Sequence, residues 1–305
     1  MIHLNIENET ARLRAVVVGI ADNFGGIPTL EECYDPVSKE HVKSGTYPLE
    51  DSCIKAMDDL VEIFSKYDVL VYRPQNIIGL NQIFSRDIAF VIEDKLILPN
   101  IIEERRKESG ALNYIFSKIN KLDKIRMPNG TRAEGGDVIV CNEYIFVGYS
   151  EKIDFDKFKV ARTNRSGLDF IKKTFSNKKV LGFELKKSDI DPNENVLHLD
   201  CCFQPIGKGM AIIYKGGFKN HDDYDFLVDY FKKENIIEIT RDEMYNMNSN
   251  IFSISEDVIV SEKGFFRLNR ELRRRGFVVE EVHYSEIAKM SGLFRCSTMP
   301  IDRVL

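Results

Sequence analysis

The chain has no tryptophan, no CxxC pair among its six cysteines and no excess of basic residues. Without paired Cys/His spacing, a structural zinc site is not expected. With 43 Lys+Arg against 48 Asp+Glu and a formal net charge of -5, the chain offers no basic face for a polyanion, so nucleic acid is not an expected partner. Its one basic run, Arg273 to Arg275, reads as the solvated end of a helix. No apolar run approaches the length of a membrane span, and the opening MIHLNIENET does not read as a signal peptide. The expected setting is therefore a reducing cytoplasm, away from membranes, with Cys33, Cys53, Cys141, Cys201, Cys202 and Cys296 as free thiols. No glycine/serine linker or charged block divides the 305 residues, and one catalytic domain over 1–305 is expected.

What is present is a hidden repeat. Leu13 to Val18 reads as a buried strand, Leu49 to Tyr67 as a helix with Ile54, Met57, Leu60, Val61 and Phe64 on one face, and Val69 to Tyr72 as a second strand. A long polar loop separates the first strand from the helix. From Asp87 the order becomes regular: IAFVI, a short turn, LILP, a charged helix from Glu103 to about Ile119, then Ile125 to Met127. The same order recurs from Asp137 (VIVC, YIFVG, a helix Ser166 to Phe175, VLGFEL). It recurs again from His198 (CCFQPIG, MAIIY, a helix Tyr224 to Lys233, IIEIT) and from Met247 (NIFSI, VIVS, a helix Phe266 to Arg275, FVVEEV). These units of about fifty to sixty residues share one strand-strand-helix-strand order with little sequence identity. The head of the chain and a strand from Cys296 to Arg303 remain, and together they supply a fifth copy. A closed ring of units leaves few sheet edges exposed, which gives the tail a reason to return to the head. An open α/β sheet is the alternative, but its crossovers do not call for a hairpin in every unit.

Each copy opens with polar residues that a buried strand would not select: Ser85-Arg86-Asp87, Glu134-Gly135-Gly136-Asp137, His198-Leu199-Asp200, Met247-Asn248-Ser249 and Arg295-Cys296-Ser297. Taken singly they have ordinary explanations: Asp87 can cap a turn, His198 can be a bonded structural histidine, and a lone Cys296 is more often an inert core thiol. Equivalent positions in a ring would bring all five sets into one cleft. Cys296, flanked by Arg295 and hydroxyl donors, then reads as a thiolate nucleophile and His198 as its proton carrier. Carboxylates beside a thiolate do not suit a peptide carbonyl. They do suit a planar guanidinium, whose N–H groups Asp87 and Asp200 can hold in paired, charge-assisted hydrogen bonds.

These residues resemble the guanidino-group-modifying superfamily, the pentein enzymes, which includes amidinotransferases, arginine deiminases and dimethylargininases. The likeness rests on RLRAVVVG at the head, FSRD with Asp87, EGGD with Glu134, HLD with His198 and Asp200, and RCSTMP with Cys296. It implies an α/β fold: the pentein five-bladed α/β propeller of ββαβ modules around a pseudo-fivefold axis. It further implies that Cys296 attacks the guanidino carbon and forms a covalent amidino-thioether, with His198 as acid and base and Glu134 pairing with His198 or with the guanidinium. Asp87, Asp200 and Asn248 would face the substrate, and Arg106 and Arg162 would meet its carboxylate. The branch signals differ. SGTYP at Ser44 to Pro48, VYRP at Val71 to Pro74, HLDCCFQPIG and the Met247-Asn248 stretch are similar to amidinotransferases; EGGD and RCSTMP are closer to deiminases; VGYSEK with RTN fits deiminases and dimethylargininases. The missing tryptophan disfavours the agmatine deiminase branch. Amidino transfer from an arginine-like guanidine to an amine is the first expectation, hydrolysis to citrulline the second, and a silent binding pentein the third. No metal or organic cofactor is required, and a homodimer is compatible with the sequence.

Overall fold

Residues 1–304 are described by a computed structural model of the chain. Three of the four hairpins turn through positive φ: at Glu93 (52°), at Asn142 (56°), and at Lys208 (62°) with Gly209 (67°). Asparagine tolerates that region, and the Glu and Lys are held there by the tight link between paired strands. Each hairpin is antiparallel, and a crossover then returns a third strand parallel to the second. The sheets so built are Phe90–Ile92, Lys95–Leu98 and Lys124–Arg126; Val138–Cys141, Tyr144–Tyr149 and Lys179–Glu184; Phe203–Ile206, Met210–Ile213 and Ile236–Glu238; and Phe252–Ser253, Val258–Glu262 and Val278–Val282.

The fifth sheet closes the ring with both ends of the chain. Thr298–Val304 pairs antiparallel with Arg12–Val18, from Arg12 against Val304 to Val18 against Thr298, and Leu70–Tyr72 lies parallel on the other side. All five sheets are three-stranded with one connectivity, as the pentein propeller requires. Helix Glu50–Lys66 buries Cys53, Ala56, Met57, Leu60 and Phe64 at three-to-four-residue spacing against this fifth sheet and its neighbours.

Three expectations from the sequence are corrected. The stretch expected as one helix from Glu103 to Ile119 is broken into a 3-10 turn at Glu103–Arg105 and short helices Glu108–Ala111 and Asn113–Phe116. Arg105 is drawn into the interior by Asp87 and Glu108, and Gly110 lowers the helix propensity in the middle of the stretch. The polar loop after the first strand carries helix Pro36–Lys43, started by Asp35, whose Oδ1 accepts from the Ser38 N–H at 2.8 Å, with proline in the first turn. Cys296 lies in the turn before the last strand, which begins at Thr298. That placement frees its side chain from the sheet.

The opening turns of the units are laced to one another around the axis. Gly136 donates its N–H to Asp87 Oδ1 (3.1 Å), Leu199 to Asp137 Oδ1 (2.9 Å), and Ser249 Oγ to the Asp200 carbonyl (3.0 Å). Asn250 Oδ1 accepts from Arg295 N–H (3.0 Å), and Arg86 N–H closes the circuit on the Cys296 carbonyl (3.1 Å). The turns pack too closely for side chains at two positions: a Cβ on Gly135 would lie 2.1 Å from the Arg86 carbonyl oxygen, and one on Gly136 2.7 Å from His198 Nδ1.

Candidate active site

At the centre of this circuit lie Asp87, Glu134, His198, Asp200 and Cys296, all buried. His198 Nε2 and Glu134 Oε2 are 2.9 Å apart, and His198 Nδ1 is 3.8 Å from Asp87 Oδ1 with no hydrogen-bond partner. Burial alone would depress the imidazole, but Asp87, Glu134 and Asp137 outweigh it and push its pKa up to about 9. Glu134 is held the other way: despite burial, Arg162 and His198 keep its carboxyl well below the usual range. The carboxylates around His198 therefore favour its charged form, with Nε2 fixed on Glu134 and Nδ1 without a partner.

Cys296 Sγ is 3.8 Å from Asp200 Oδ2 and 3.2 Å from Asn250 Nδ2. Here the local reading of the sequence is corrected. Arg295 does not activate the thiol. Its guanidinium turns away to Glu9 (2.9 Å), Asp200 (2.9 Å) and the Val138 carbonyl (2.7 Å). Burial, Asp200 and Asp87 push the thiol well above its ordinary pKa, against weaker help from the Leu293 backbone and Asn250. The protein alone therefore holds a protonated cysteine among carboxylates.

The remaining expected residues divide. Arg162 is buried, with Nη1 3.3 Å from Glu134 Oε2 and Nη2 3.3 Å from the Tyr34 carbonyl, and it stacks on the Tyr34 ring. Arg106 is not brought to the centre. Its side chain is 73% exposed and pairs with Glu103, because the 3-10 turn points its neighbour Arg105 inward instead. Arg105 Nη1 meets Asp87 Oδ2 at 2.7 Å and its other nitrogens bind Glu108, a placement the sequence reading missed by one position. Asn248 faces a cleft of about 640 Å³ together with Val37, His41 and Leu293, and its side chain makes no hydrogen bond among the described residues. Asn250, two positions later, is the asparagine that touches the Cys296 thiol. Its repeat position, equivalent by turn hydrogen bonding to Asp137, was the available signal.

Asp87, Glu134 and His198 bring ligand atoms within 4.8 Å of one another, close enough to consider a metal ion. Arg105 and Arg162 already sit on the two carboxylates, so a divalent ion there would face two buried guanidiniums. The loop with Tyr34 and Asp35, and helix Pro36–Lys43 after it, lie between that cleft and a second of about 380 Å³, lined by Tyr34, Asp35, Ser38, Phe84 and Glu108. No helix among the described residues is long and apolar enough to cross a membrane.

The family model described as N,N dimethylarginine dimethylhydrolase, eukaryotic, matches residues 35–303. The chain is 32% identical over 222 residues to the uncharacterized protein YkgA of Bacillus subtilis (strain 168), covering 73% of this chain and 70% of that one. It is 25% identical over 298 residues to an arginine deiminase of Streptococcus agalactiae, covering 86% and 68%. Among solved structures, the N-terminal domain of ArgZ, an arginine dihydrolase from the ornithine-ammonia cycle in cyanobacteria, superposes with TM-score 0.78 at 16% identity, covering 95% of this chain and 97% of that one. SxtG, an amidinotransferase from Microseira wollei, does so with TM-score 0.75 at 16% identity, covering 98% and 97%. These likenesses show a shared fold. With the family model spanning most of its length, the chain belongs to the dimethylarginine dimethylhydrolase family of the guanidino-group-modifying pentein superfamily.

Proposed function

We propose that the chain hydrolyses a C–N bond of arginine or an ω-methylated arginine through a covalent intermediate on Cys296. The observation that carries this reading is the His198 imidazole, held by Glu134 through Nε2 and left without a partner at Nδ1 in the same cage as Cys296 and Asp200. Asp87 and Asp200 hold the guanidinium N–H groups. The cation then supplies the positive charge that the thiol's own surroundings lack, and as substrate binds the thiol gives up its proton to solvent, His198 being already protonated. Cys296 Sγ bonds to the guanidino carbon, and the departing nitrogen takes a proton from His198 and leaves as ammonia or a methylamine. His198 then accepts a proton from water as the oxygen bonds to the same carbon. The C–S bond breaks, and a ureido product leaves with the thiolate restored.

Water is favoured as the acceptor because the family model that matches residues 35–303 is that of a dimethylarginine dimethylhydrolase. Transfer to an amine shares the first half of the reaction. The cleft of about 640 Å³ ending on Asn248 favours that second reading, since an amine needs room beside the nucleophile's neighbouring turn. Incubation with arginine and with methylated arginine, with and without added amines, separates them. Citrulline with ammonia or methylamine, formed at a rate independent of amine, is the expected result. Ornithine appearing only when an amine is present establishes the transferase, and neither product from any guanidine overturns both.

A further inference from the structure

We propose that Glu9, at the far end of the ring axis, is a positioning residue that sets the charge felt by Cys296, acting through Arg295 and Asp200. The inference rests on Cys296 being the nucleophile. Glu9 precedes residues 35–303, which the family model covers, so nothing in that match assigns it a role. It borders a cleft formed with Cys141, Asn142, Gly209 and Glu256, which lie at the hairpin ends of the inner strands. The turns that carry the active centre are at the opposite ends of those strands.

The link is a chain of buried ion pairs. Glu9 Oε1 accepts from Arg295 Nη2 at 2.9 Å and Oε2 from Arg295 Nε at 3.3 Å. Arg295 Nη1 donates to Asp200 Oδ2 at 2.9 Å, and that oxygen is 3.8 Å from Cys296 Sγ. Two further buried guanidiniums complete the axis. Arg86 Nη2 is 3.9 Å from Glu9 and has no hydrogen-bond partner, while Arg303 donates to the Ala11 and Ser253 carbonyls. Three cations thus share two carboxylates, all of them buried. In a medium of low dielectric such a charge acts over several ångströms without screening by salt.

Glu9 acts on the field more than on geometry. Arg295 also donates to the carbonyls of Gly135, Gly136 and Val138, which keep its guanidinium in place when Glu9 loses its charge. With Glu9 ionised, Arg295 is largely neutralised and Asp200 keeps its negative charge for an incoming cation. The thiol stays protonated until that cation arrives. With Glu9 neutral, Arg295 stabilises the thiolate and cancels Asp200. The thiol is then more acidic and the cationic substrate binds less well. The other titratable groups facing the thiol are Asp200, Asp87, Cys201 and Tyr284, with His198 behind Asp87, and none of them is substituted in the comparison below.

The test compares Glu9→Gln, which keeps the shape and an acceptor for Arg295, with Arg86→Met, which removes a cation from the same axis. Thiolate absorbance, taken as each protein minus its Cys296→Ser counterpart, and iodoacetamide labelling located by peptide mass are followed from pH 6 to 10.5. Glu9→Gln is expected to lower the inflection by about one pH unit, about tenfold in thiolate at a fixed lower pH, and to raise KM for a cationic guanidine. Arg86→Met is expected to move the inflection up. Shifts of the same direction in both variants, or none in either, overturn the proposal. If Glu9→Gln fails to fold, Arg86→Met alone decides, and a null or downward shift overturns it. Labelling that falls elsewhere than Cys296 overturns the nucleophile assignment itself, a failure distinct from that of Glu9.

Discussion

Asn250 clamps the Cys296 turn from both sides of its amide: Oδ1 accepts the N–H groups of Arg295 (3.0 Å) and Cys296 (3.2 Å), while Nδ2 points at Cys296 Sγ (3.2 Å). One neutral side chain therefore holds the thiol's position and supplies a hydrogen-bond donor to the thiolate. Asn250→Ala is expected to lower kcat/KM about a hundredfold, the cost of removing one preorganised donor. Asn250→Asp is expected to be worse, because a further carboxylate raises the thiol's pKa again. Steady-state kinetics of the two variants checks the order.

Gly136 lies against the imidazole, where a Cβ would fall 2.7 Å from His198 Nδ1 and 2.8 Å from Cγ. Gly136→Ala is expected to push His198 off Glu134 and abolish measurable turnover. Its loss of stability should stay within about 1–3 kcal/mol, the range for overpacking. A variant with wild-type kcat would show that His198 need not occupy this position.

Stability should fall as the solution becomes alkaline. His198 has a folded pKa pushed up to about 9 from an ordinary 6.5, so its contribution is full below pH 6.5 and is lost as pH rises through 9. Thermal melting from pH 6 to 9.5 is expected to show a declining midpoint, and His198→Asn should flatten the decline. The depressed Glu134 has the opposite sign and loses its contribution on the acid side.

Neighbouring arginines provide a contrast. Arg106→Ala removes an exposed surface pair with Glu103 and should change stability by less than about 0.5 kcal/mol and KM hardly at all. Arg105→Ala strips the buried Asp87 and Glu108 carboxylates of their cation and should cost about 3–5 kcal/mol. Denaturant titration and kinetics on the pair decide whether the inward arginine has been identified correctly.

The repeat was legible in the chain because alternating apolar runs and turn residues are local signals. They fix hairpins and crossovers whatever surrounds them, and five equal units then leave few ways to close. Cys296, His198, Glu134, Asp87 and Asp200 were legible because buried strands do not otherwise begin with such residues. Side-chain direction was not. Arg295 beside Cys296 in sequence looks like an activating cation, yet in space it serves Glu9, which is 286 positions away. Arg105 rather than Arg106 enters the core because a 3-10 turn rotates each residue differently from an α-helix. Asn250 rather than Asn248 meets the thiol after a turn in which Met247 takes a φ of 64°. The sequence determined the fold and which polar groups gather at the ring's centre; only the tertiary structure decided which charges neutralise one another, because that depends on which ends of distant strands share a dry interior.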